Sequence, residues 1–85
     1  MKTLMKFWAP WCGGCTTIEP RVTEAMSTTS GIVLESINID ESMALATARG
    51  VRSIPTLILL DENDDEQGRM IGLQSVDAIK NLLRK

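Results

Sequence analysis

The only two cysteines of this chain, Cys12 and Cys15, flank Gly13-Gly14 at the point where a strand pattern gives way to a helix pattern, and that junction constrains the fold more than any other feature. Residues 2–8 alternate loosely and end in Phe7 and Trp8, and Pro10 blocks continuation, so a strand runs into a sharp exit. From about residue 12 to 27, Ile18, Val22, Ala25 and Met26 recur at helical spacing and form one apolar stripe, in a helix that Pro20 should kink. Thr28-Thr29-Ser30-Gly31 is a turn cluster, and residues 32–39 are rich in β-branched side chains, which predicts a second strand. Strand, helix, strand in that order makes the two strands parallel.

The remainder completes a layered domain. A short helix over residues 42–49, with Met43, Leu45, Ala46 and Ala48 as its apolar positions, ends where Gly50 can take a left-handed cap. Residues 56–60 read as a strand buried on both faces, and residues 67–71 as its hairpin partner across the acidic run Asp61-Glu62-Asn63-Asp64-Asp65-Glu66. That run is expected to be a solvated turn, an acidic docking surface being the lesser alternative. Ser75 can cap a last helix whose Val76, Ile79, Leu82 and Leu83 share a face, and Arg84-Lys85 suit its negative dipole end. The order β-α-β-α-β-β-α gives a three-layer α/β domain over residues 1–85, which 44% apolar residues can supply with one core. No internal repeat or low-complexity segment interrupts it.

Several function classes receive no support. Nine basic and eleven acidic residues leave a net charge of −2, and the basic ones are scattered rather than striped, which argues against nucleic-acid binding. Lys6 breaks the apolar run at the N-terminus, so no signal-peptide core is expected, and no stretch approaches membrane-spanning length. A cysteine pair closing so short a loop is a poor disulfide framework for a secreted domain, and a reducing cytoplasm fits better.

The pair does suit redox chemistry. At a helix N-terminus, unpaired backbone N–H groups and the helix dipole favour a thiolate, which makes Cys12 the candidate nucleophile. Cys15, nearly one turn on, is within disulfide reach and is the candidate resolving thiol. The Cys12 thiolate would attack a substrate disulfide, and Cys15 would then release the reduced substrate, with no cofactor required. A structural disulfide, a metal site and two inert thiols remain as alternatives. A zinc site would need further ligands and histidine is absent, whereas four cysteines from two chains could share an iron–sulfur cluster.

The segment Phe7-Trp8-Ala9-Pro10-Trp11-Cys12-Gly13-Gly14-Cys15 closely resembles the active-site segment of the thioredoxin family, usually WCGPC. The resemblance continues through Ile18 and Pro20, Ile37-Asn38-Ile39-Asp40, Gly50-Val51-Arg52-Ser53-Ile54-Pro55-Thr56 and Gly72. It implies a thioredoxin-like fold with a four-stranded mixed sheet, of glutaredoxin size, without the family's usual first strand and helix. It also implies a protein-disulfide reductase acting as a monomer, with substrate docking on Trp11, Gly13, Gly14, Ile54, Pro55 and Gly72, and with Ile54–Pro55 joined in cis. A proline entering the residue 56 strand would leave a backbone edge open to an extended substrate, against the alternative of a plain turn proline. Trp8 is expected to pack under the first helix.

Two departures stand out. Gly14 replaces the usual proline, which leaves the motif more flexible and its redox poise open. Lys6 stands where the family has a buried aspartate that helps move the resolving cysteine's proton, and Ser36 replaces a neighbouring lysine. Lys6 would either point toward Cys15, its cation stabilising a thiolate and its burial lowering its own pKa enough for it to serve as a base, or reach solvent with its stem packed in the core. Family analogy further implies re-reduction by a thioredoxin-reductase-type flavoprotein and service to ribonucleotide reductase. The alternatives are a glutaredoxin-like protein regenerated by glutathione, and a binding subunit that clamps a partner without using its thiols.

Overall fold

The computed structural model describes residues Met1–Lys85. Strand β1 (Lys2–Trp8) leads into helix α1 (Gly13–Ser27), and strand β2 (Ile32–Asn38) into helix α2 (Met43–Ala48). Strands β3 (Thr56–Leu60) and β4 (Glu66–Ile71) form a hairpin before helix α3 (Val76–Leu83). One mixed sheet runs in the order β2-β1-β3-β4, with β1 parallel to β2 and antiparallel to β3, and β3 antiparallel to β4.

The alternation of β1 and β3 divides the core between two faces. Leu4, Leu57 and Leu59 meet Ile18, Val22 and Ala25 of α1 and Ile79, Leu82 and Leu83 of α3. Met5, Phe7, Ile58 and Leu60 point the other way, onto Ile37 and Ala46 of α2. The fold is therefore three-layered, with α1 and α3 on one side and α2 on the other, as the order of patterns anticipates. All five β3 residues are buried, Leu57, Ile58, Leu59 and Leu60 in line with their unbroken apolar run and Thr56 with its hydroxyl donating to the Ser53 carbonyl at 2.6 Å.

Cys12 caps α1 rather than starting it, and α1 continues through Pro20 without ending there. Gly50, with φ +69°, follows α2 in the left-handed conformation that its position predicts. Glu66 lies in β4 instead of the acidic turn, in register with Leu60 of β3, and its carboxylate is held by the Arg69 guanidinium on the same strand. In the turn itself the Asp61 carboxylate accepts the N–H groups of Asn63 and Asp65, and Asp64 takes a positive φ of 63°. The second strand is an edge, so its apolar Val33 and Leu34 are exposed, which their β-branched setting alone did not foretell.

Candidate functional site

The register Phe7↔Thr56 puts the exit of β1 and the entry of β3 at the same end of the sheet. Pro10 cannot extend the ladder, so the chain turns after Trp8 and the Cys12 N–H bonds the Ala9 carbonyl at 3.1 Å. Cys12 then caps α1 with extended dihedrals (φ −95°, ψ 110°), its Sγ accepting the Cys15 N–H at 3.2 Å. A cap sulfur that already takes a helix N–H is placed to be stabilised as a thiolate, and no acidic residue in the first turn opposes that.

Cys12 and Cys15 are paired, with Cα atoms 5.3 Å apart, inside the disulfide range. The two sulfurs differ in access: Cys12 is half-buried, whereas Cys15 is only 5% exposed. A neighbouring chain can thus meet one sulfur and not the other.

Pro55 reaches this motif from the loop that enters β3. The Ile54–Pro55 peptide is cis, Pro55 is buried, and a Cβ placed on Gly14 would lie 3.4 Å from the Pro55 Cδ. Gly72, with φ +85°, donates its N–H to the Pro55 carbonyl at 2.8 Å and so ties the end of β4 to the same loop. Gly13 lies exposed at the start of α1, and Ile54 is half-buried.

Trp11 stands 68% exposed beside the cysteines, its Nε1 donating to an Asp40 carboxylate oxygen at 3.1 Å. A shallow cavity of about 310 Å3 runs from Trp11 past Ile39 and Val51 to Arg52, Ser53 and Ile54. Its walls are apolar around a few polar groups, the form of a docking groove.

Behind the cysteines, Lys6 is 3% exposed on the α1 face of β1, and its ammonium donates to the Glu19 carboxylate on α1. A lysine buried there without an anion would be costly, and Glu19, which is 56% exposed, supplies one. Trp8, Cys15 and Glu19 all line a cleft of about 470 Å3 that also reaches Pro20. Trp8 therefore lies against α1, as its position suggests.

Glu19 and Asp40 are the residues that the sequence reading did not single out as partners. Glu19 carried a usable signal, since it follows Cys15 by one helical turn and so shares its face. Asp40 carried none, because its partner Trp11 is 29 residues away.

Known proteins share this arrangement. The family model for thioredoxin matches residues 1–85. The chain is 34% identical over 82 residues to the thioredoxin of Mycoplasma pneumoniae, covering 96% of this chain and 79% of that one. It is 43% identical over 70 residues to the chloroplastic M-type thioredoxin of Pisum sativum, covering 81% of this chain and 40% of the other. A mutant thioredoxin from Halobacterium salinarum superposes with a TM-score of 0.86 at 38% identity, covering 98% of this chain and 72% of that structure. With its cysteine pair at disulfide distance on the matching fold, this chain belongs to the thioredoxin family of protein thiol–disulfide oxidoreductases.

Proposed function

We propose that the chain reduces protein disulfides with Cys12 as attacking thiolate and Cys15 as resolving thiol. The observation that carries this reading is the unequal access of the two sulfurs, a half-buried helix cap and a buried partner one turn on. The Cys12 thiolate attacks one sulfur of the substrate disulfide, forming a mixed disulfide and expelling a substrate thiolate that takes a proton from water. Cys15 then attacks the Cys12 sulfur, and the second substrate thiolate leaves as the Cys12–Cys15 bond closes. Two electrons pass to the substrate and the protein is left oxidised.

An extended substrate docks along Trp11, Gly13, Gly14, Ile54, Pro55 and Gly72. Close approach at Gly14 and the groove beside Ile54 support that placement, since a backbone edge and an apolar pocket together recognise a strand. The single domain spans residues 1–85 and works as a monomer, one chain supplying both cysteines and the docking loop. A reducing cytoplasm is its setting, with a thioredoxin-reductase-type flavoprotein returning the electrons and ribonucleotide reductase among the acceptors. No helix is long and apolar enough to cross a membrane.

Mass spectrometry of single-cysteine variants tests the assignment. Cys15→Ser should accumulate a mixed disulfide with a substrate protein at Cys12, and Cys12→Ser should form none. Equal trapping by both variants would sink the assignment. Supplying the flavoprotein with NADPH, or glutathione alone, to the oxidised protein then decides the regenerating system.

A further inference from the structure

The resolving step requires the Cys15 thiol to lose its proton from a place where water hardly reaches, since Cys15 is 5% exposed. Burial disfavours the thiolate, so the proton needs a route and an acceptor. The thiol lies on the cleft of about 470 Å3 between the end of β1 and the first turns of α1. Among the residues lining that cleft Glu19 alone is charged.

Three further observations converge there. The Glu19 carboxylate follows Cys15 by one helical turn, on the same side of α1. It is held by Lys6, a residue 3% exposed whose ammonium has no other hydrogen-bond partner. The indole N–H of Trp8 is buried and finds no acceptor among the protein's own groups, although Trp8 lines the same cleft. The cleft, open to solvent and lined in part by Thr16 and Glu19, is large enough to admit water.

We propose that this cleft is the proton exit of the resolving step, with the Glu19 carboxylate as proton acceptor and Lys6 as the positioning residue that holds it. The proposal rests on the assignment of Cys15 as resolving thiol. In the mixed disulfide, the Cys15 S–H passes its proton through cleft water to Glu19. The resulting thiolate attacks the Cys12 sulfur, the Cys12–substrate bond breaks, and the electron pair leaves with the substrate thiolate. Glu19, itself 56% exposed, then returns the proton to bulk water. The strand neighbours of Lys6 in register, Ser36 on β2 and Leu57 on β3, do not titrate, so Glu19 and Cys15 are the ionisable groups lining the cleft and Lys6 is the one paired to Glu19.

The test is stopped-flow reduction of an aromatic disulfide that releases one coloured thiolate when Cys12 attacks and a second when Cys15 resolves. Glu19→Gln should leave the first phase unchanged and slow the second by about 10²-fold, the lower end of what a positioned proton acceptor supplies. The second phase should then climb with pH as hydroxide takes over, and Glu19→Asp should recover much of the rate. If Glu19 matters only by neutralising Lys6, the double variant Lys6→Met with Glu19→Gln regains the wild-type second phase, which overturns the proposal. A double variant that stays slow supports it, including where Glu19→Gln alone does not fold. A second phase indifferent to Glu19→Gln at every pH also overturns it. Absence of the first phase in the wild type would instead remove the assignment of Cys12 on which it rests.

Discussion

A side chain's behaviour in this protein follows from which partner reaches it. Cys12 and Cys15 could be read as a pair because their spacing sets the distance between them, and the helix that fixes it starts at the second residue of the motif. Asp40 could not be read as the partner of Trp11, 29 residues away, because no local pattern encodes a contact made through the fold, whereas Glu19 was legible only through its helical spacing from Cys15 and not through Lys6, 13 residues away. Glu66 shows the same dependence in its titration. The hydrogen bond from Arg69 outweighs the opposing cost of burial and holds the Glu66 carboxyl below its ordinary value of 4.5. A carboxyl with a depressed folded value stabilises the fold above its unfolded value, and that contribution disappears as pH falls through the folded one. Glu66→Gln should therefore lower the urea midpoint near neutrality, with the gap to the wild type closing below about pH 4.5. The gap itself should be small, as the pair lies near the surface.

At the scale of elements, the boundaries that the sequence makes plain are those with a backbone cause. Pro10 ends β1, Gly31 and Gly50 supply positive φ where the chain reverses, and Ser75 opens α3. The Ser75 Oγ accepts the Ala78 N–H at 3.1 Å, so Ser75→Ala should cost about 1 kcal/mol. A fall of roughly 4–8 °C in melting temperature would register that loss, because small domains carry little unfolding entropy to spread it over. An unaltered melting curve would mean that water serves the N-terminus of α3 equally well. What composition hides is rank within the sheet. Residues 32–38 are as apolar as a central strand, yet β2 lies at the edge, because period and propensity describe a strand's faces and not its neighbours.

Across the whole molecule, the two most protected strands, β1 and β3, are adjacent at the centre of the sheet and contribute to both halves of the core. Leu57, fully buried beside Lys6 in the register, should cost about 2–5 kcal/mol on truncation to Ala. That is a large share of the roughly 5–15 kcal/mol that holds a domain of this kind together. Denaturant midpoints would measure the loss, and the molecules still folded should turn over substrate at the wild-type rate. β1 delivers the cysteines and the proline loop leads into β3, so the two halves of the reaction centre are fastened to the central strands, which should be the last elements to open in hydrogen exchange. Fraying of β2 or α2 would leave the cysteines and the proline loop in place but loosen the Ile39 and Val51 wall of the groove. Thermal inactivation should accordingly be all-or-none, each molecule either fully competent or fully unravelled.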